Sequence, residues 1–127
     1  MVLARIVGTG SYAPEEVVTN HELARRLAKL GVETSDEWIR TRTGIERRHF
    51  ARRDEQTSDM ALEASRQALD MAGLAPEALD LIVMGTISGD MPMPATAAFV
   101  QAKLGARCPA FDVSAACAGS VYGLSIA

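Results

Sequence analysis

The chain has 127 residues, 48% of them hydrophobic and 23% charged, which is enough to bury a core; its formal charge of −3 leaves no electrostatic footprint for nucleic acid. No apolar run reaches membrane-spanning length, the start Met1-Val2-Leu3-Ala4-Arg5 lacks a signal peptide's layout, and Cys108 and Cys117 do not make a disulfide framework. The expectation is a cytoplasmic protein with neither a nucleic-acid nor a membrane partner.

Taken in order, Arg5 to Gly10 reads as a strand entering a glycine turn. The Gly8-x-Gly10 pair invites a nucleotide-binding reading, but the third glycine of that fingerprint is missing and no helix follows directly, so a tight turn is expected. Asn20 is placed to cap a helix running through Leu23, Leu27 and Leu30 and ended by Gly31. Thr34-Ser35-Asp36-Glu37 has the capping-box pattern, with Thr34 reaching the N–H of Glu37 and Glu37 reaching back. It opens a short helix carrying Trp38, Ile39 and Arg42, which Thr43-Gly44 breaks. Ile45 to Phe50 reads as a strand bearing Arg47 and Arg48.

Gln56-Thr57-Ser58-Asp59 opens a longer helix, in which Met60, Ala61, Ala64, Ala68, Met71 and Ala72 fall at helical spacing before Gly73 closes it. Leu81-Ile82-Val83-Met84 is a continuous apolar run, the mark of a strand covered on both faces. A loop from Gly85 to Pro94 precedes a small-residue helix, Ala95 to Leu104, ended by Gly105. Ala110 to Val113 is a short strand leading through Ser114-Ala115-Ala116 into a helix that opens at or near Cys117. Strands alternating with helices predict an α/β fold with a mostly parallel sheet, helices on both faces, and ligands gathered at the carboxyl ends of strands.

Cys117 sits where that rule puts chemistry. The helix after it carries Val121, Leu124 and Ile126 without a single charge, so it is expected to be buried. The positive end of a helix dipole favours the anionic, nucleophilic form of a thiol, and Ala115, Ala116, Ala118 and Gly119 leave room for a substrate. From the residues alone, a small buried hydrophobe is the competing reading of this cysteine. His21, in the first turn of a helix, reads as a surface residue and His49 as a structural one; neither is singled out as a base. No Cys/His set has zinc spacing, so no metal site is expected. The chain ends at Ala127 inside an apolar helix with no cap, which suggests the front portion of a longer protein. Residues 1–127 alone are then not expected to make a stable soluble enzyme.

Ile6-Val7-Gly8-Thr9-Gly10-Ser11-Tyr12, Thr34-Ser35-Asp36-Glu37-Trp38-Ile39, Arg42-Thr43-Gly44-Ile45 and Phe111-Asp112-Val113-Ser114-Ala115-Ala116-Cys117-Ala118-Gly119 resemble beta-ketoacyl-acyl-carrier-protein synthase III, a thiolase-fold condensing enzyme. The resemblance runs from Arg5 to Ala127 with the motifs in family order. It implies that Cys117 takes an acyl group from acyl-CoA as a thioester, with its backbone N–H as an oxyanion donor. Malonyl-acyl-carrier protein then loses carbon dioxide and attacks the thioester, giving a 3-oxoacyl product that initiates fatty acid synthesis. CoA enters as a substrate thioester, with no permanently bound cofactor.

By the same resemblance Trp38 and Arg42, four apart and therefore on one helix face, hold the CoA adenine between them, and Thr34 is a further CoA contact. Two departures stand out. The family's catalytic histidine and asparagine lie in its second half, so residues 1–127 read as an incomplete N-terminal half; His21 and His49 do not match that motif. Met93 stands where acetyl-primed relatives often carry a phenylalanine that reaches into the partner subunit's acyl pocket, which leaves the starter group open. Extra residues around Lys29 to Glu33 would lengthen a loop near the CoA entrance. A homodimer is implied, with the apolar Met91–Pro94 loop as local support. The alternatives are a secondary-metabolite acyltransferase using the same cysteine and a catalytically silent partner subunit.

Overall fold

The computed structural model describes residues 4–127. In chain order the elements are β1 (Glu16–Thr19), α1 (Asn20–Ala28), α2 (Asp36–Thr43), β2 (Arg47–Phe50), α3 (Thr57–Ala72), β3 (Ile82–Gly85), α4 (Thr96–Leu104), β4 (Ala110–Val113) and α5 (Gly119–Ile126). Single 3-10 turns lie at Pro76–Ala78 and Ala116–Ala118. The chain divides into two compact units: Ala13–Asp54, and a larger one in which Glu55–Ala127 joins the residues up to Tyr12.

In the smaller unit β1 and β2 pair antiparallel, with Val18 opposite Arg48 and Thr19 opposite Arg47; Val18 is fully buried. Both helix starts differ by one residue from expectation. Thr19, not Asn20, caps α1, its Oγ1 accepting from the Glu22 N–H at 3.2 Å. Ser35, not Thr34, caps α2, its Oγ accepting from the Trp38 N–H at 3.1 Å. In each case the capping residue has the extended backbone that points its side chain at the free N–H groups. Gly44, at φ 69°, ends α2 in the left-handed conformation that glycine adopts without a Cβ clash.

In the larger unit β3 and β4 pair parallel, from Ile82 opposite Ala110 to Gly85 opposite Val113. Strand alternation sends the apolar run of β3 to two faces. Val83 and Gly85 meet α5, where Gly123 and Gly119 allow close approach: a Cβ on Gly85 would come within 3.0 Å of the Gly119 carbonyl carbon. Ile82 lines a small apolar cavity with Leu69 of α3 and Val100 and Leu104 of α4. The fold is therefore α/β with a parallel pair at its centre, while the pairing in the smaller unit is antiparallel.

Two expectations are corrected here. The all-apolar α5 is covered only along its glycine side; Val121 (61% exposed) and Leu124 (71%) are open, because among the described residues nothing else packs on that helix as β3 does. The segment Arg5 to Gly10 is not a strand, and its glycines do not make a turn. Gly8 and Gly10 lie against the alanine stripe of α3, where a Cβ would fall 2.1 Å from the Ala68 carbonyl oxygen and 1.9 Å from that of Ala64. Their value is the missing side chain, not a positive φ. The Thr9 N–H donates to Met71 Sδ at 3.4 Å and the Ser11 N–H to Gln67 Oε1 at 3.3 Å, fixing the segment along the helix.

Candidate active site

Strand β4 delivers the chain to the nucleophile candidate. Beyond Val113, whose carbonyl accepts from the Thr86 N–H at 3.2 Å, Ala116 adopts φ 44° and the single 3-10 turn carrying Cys117 follows. A left-handed backbone at a residue other than glycine costs about 1–3 kcal/mol and recurs where a turn must hold a functional group. The α-helix proper begins at Gly119, two residues later than expected, because that turn intervenes. The two cysteines separate cleanly: Cys117 is exposed, whereas Cys108 is buried at 6%. An exposed thiol on a bend can be approached by an electrophile, and packing does not explain its presence.

The other candidates belong to the smaller unit. Trp38 is 51% exposed, too open for a core aromatic, while Ile39 beside it is buried and anchors α2. The i, i+4 spacing does bring Trp38 and Arg42 together: the guanidinium carbon stands 4.5 Å from the indole centroid. A flat base held between the two would need two van der Waals contacts, about 7 Å in all. The expected slot is therefore closed, since the pair stacks on itself. A base can stack on the free face of the indole, or between the two once Arg42 swings off. Thr34 Oγ1 is buried without a hydrogen-bond partner, and Thr34 lines a groove with His21, Arg25 and Glu37.

Solved structures decide the family. The 3-oxoacyl-[acyl-carrier-protein] synthase III of Aquifex aeolicus is 48% identical over 95% of this chain, with a TM-score of 0.85. The synthase III of Pseudomonas aeruginosa is 47% identical over 94% of it, with a TM-score of 0.82. The chain belongs to the synthase III family. Its fold is the thiolase fold of those enzymes. The priming beta-ketosynthase of the R1128 polyketide pathway is also similar, at 40% identity over 97% of the chain and a TM-score of 0.86. The chain spans 38%, 36% and 36% of those three structures respectively. No protein-family model matches it.

In this synthase III chain the surroundings of β4 and of the Gly85–Pro94 loop hold residues that the sequence reading passed over. Helix α4 opens at Ala95, which has no side-chain oxygen to cap it. Asp112, on β4, takes that role from a distance: its two carboxylate oxygens accept from the N–H groups of Thr96 (2.7 Å) and Ala97 (2.8 Å). Buried Thr96 in turn accepts from the Asp90 N–H at 3.1 Å. Asp90 accepts from the backbone and hydroxyl of buried Ser58 at the start of α3, and Lys103 donates to Ser58 Oγ and to Asp59. The Lys103 ammonium and the Gln56 N–H hold the Asp59 carboxyl below its usual range. A helix predicted without a local cap is the signal that could have pointed to Asp112.

This relay ties the loop to α3, α4 and β4, yet leaves Met93 83% exposed. Of the two histidines, both in the smaller unit, His21 is exposed and His49 Nδ1 donates to the Pro14 carbonyl. Among the described residues no group of His, Cys, Asp and Glu is arranged to hold a metal, and no helix is long and apolar enough to cross a membrane.

Proposed function

We propose that the protein is a condensing acyltransferase of the synthase III type, with Cys117 as its acylated nucleophile. The Cys117 thiolate attacks the carbonyl of an acyl-CoA, a carbon–sulfur bond forms, and CoA leaves as its thiol. Malonyl-acyl-carrier protein then loses carbon dioxide, and the resulting carbanion takes the acyl group and frees Cys117. The product, a 3-oxoacyl-carrier protein, is the first intermediate of an acyl chain. The backbone N–H of Cys117 supplies an oxyanion donor, and Trp38, Arg42 and Thr34 receive the nucleotide end of CoA. The chain spans little more than a third of these relatives' length, and the proposal places the family's histidine and asparagine outside residues 1–127.

The observation that carries this reading is the exposed Cys117 on its left-handed turn, within a chain nearly half identical to two synthases III. The test is to offer the complete gene product a panel of labelled straight, branched and aromatic acyl-CoAs and to map the label by peptide mass. Label on Cys117 is expected. Label on Cys108, or none with any acyl-CoA, would sink the assignment. The same panel addresses a second reading, favoured by the 40% identity to a polyketide priming ketosynthase, in which the starter belongs to a secondary metabolite.

A homodimer is part of the proposal. Ile87, Met91 and Met93 are all exposed on the one loop (70%, 48% and 83%), and a two-fold contact is the commonest way to cover such a patch. Sedimentation of the complete gene product at micromolar concentration should give a dimer; a monomer there contradicts it.

A further inference from the structure

Asn20 is fully buried, and both polar ends of its side chain and its backbone N–H are in use. Its side-chain amide donates to Asp36 Oδ1 and to the Ile45 carbonyl, both at 2.8 Å, and its Oδ1 accepts from Arg48 Nη2 at 2.7 Å. Its backbone N–H donates to the Glu46 carbonyl at 3.2 Å. Asp36 is the first residue of α2, and Ile45 follows the Gly44 that ends it. One amide thus grips both ends of the helix that carries Trp38 and Arg42. That helix is only eight residues long and buries a single side chain, Ile39. A helix so short is marginal by itself, so its place depends on what holds its ends.

We infer that Asn20 is the positioning residue of the nucleotide clamp: it sets α2 so that the Trp38 indole is presented to the adenine of CoA. The inference rests on the reading of Trp38 and Arg42 given above. Apolar packing could hold α2 in place, but it could not select its orientation as two directional bonds at its two ends do, and a buried polar network left half satisfied is worse than none. Converting the amide to a carboxylate removes both donated bonds and sets a like charge against Asp36, while the acceptor for Arg48 remains.

The test uses the complete gene product and two ligands, CoA and 4′-phosphopantetheine, which is the same arm without the nucleotide. The ratio of their dissociation constants reads the nucleotide's contribution, within which Trp38→Ala isolates the adenine contact, and a general loss of structure weakens both ligands together. Trp38→Ala should cut the preference for CoA about 10- to 100-fold. Asn20→Asp should cut it about 5- to 10-fold and add little in the double variant, since both act on one contact. Asp36→Ala removes only one jaw of the grip; it should give a smaller loss in the same direction, and it serves if Asn20→Asp fails to fold. Hydrogen exchange in peptides covering Asp36–Thr43 should quicken in both positioning variants, with α3 unchanged.

A normal ligand ratio and unchanged exchange in Asn20→Asp, beside a Trp38→Ala variant that loses CoA, would overturn the positioning role and leave the nucleotide reading standing. Faster exchange in α2 with no effect of Trp38→Ala on the ratio would do the reverse: the grip is real, and the nucleotide binds elsewhere.

Discussion

Cys117→Ala in the complete gene product is expected to abolish acyl-enzyme formation and to lower condensation by about 10³-fold or more. The nucleophile divides one difficult acyl transfer into two easier ones, and no binding interaction replaces it. Among the described residues the side chain is exposed, so its loss opens no cavity there and the thermal midpoint should change much less than activity. Cys108→Ala makes the opposite pair of changes, since that thiol is buried: activity stays and the thermal midpoint falls. Steady-state condensation rates and thermal unfolding of the two variants provide the check. Transfer within tenfold of the parent in Cys117→Ala would mean that another group carries the acyl chain.

Gly10→Ala is expected to destabilise by about 3 kcal/mol or more, lowering the thermal midpoint by roughly 10 °C. The new methyl would meet backbone, with the Ala64 carbonyl oxygen at 1.9 Å and the Ala68 nitrogen at 2.9 Å, and helix backbone cannot step aside as a side chain can. The segment must lift off α3 and give up its bonds to Met71 and Gln67. Gly31→Ala is the matched comparison. There the backbone is left-handed at φ 77° with nothing within 4 Å, so only the conformational cost of about 1–2 kcal/mol applies. If calorimetry finds Gly10→Ala no worse than Gly31→Ala, the close packing on α3 is wrong.

These two glycines mark where reading from sequence succeeds and where it stops. Gly44, Gly73 and Gly105 were legible as helix ends, and all three have positive φ, because the device that stops a helix is local. Strand β4 was legible to the residue, and so was the pairing of Trp38 with Arg42, which follows from helical spacing. Gly8 and Gly10 were misread as a turn because their reason for being glycine lies more than fifty residues away on α3. The helix starts slipped by one where two neighbouring side chains could both cap; the choice falls to the backbone conformation that distant packing imposes. At the candidate site the cysteine was evident and its support was not. Asp112, Asp90 and Asn20 act across gaps in the chain that no local pattern encodes.

Asp112 has a consequence for how α4 is completed. Helix α4 begins without a cap of its own, and the carboxylate that completes it lies 16 residues further along, on the strand that leads to Cys117. Until β4 lies beside β3, the start of α4 lacks the two bonds that Asp112 provides. Completing the helix therefore requires closing a loop of 16 residues as well as its own local bonds, a separation whose closure entropy is modest. One carboxylate thus joins the strand that leads to Cys117 to the start of the helix that follows the Gly85–Pro94 loop.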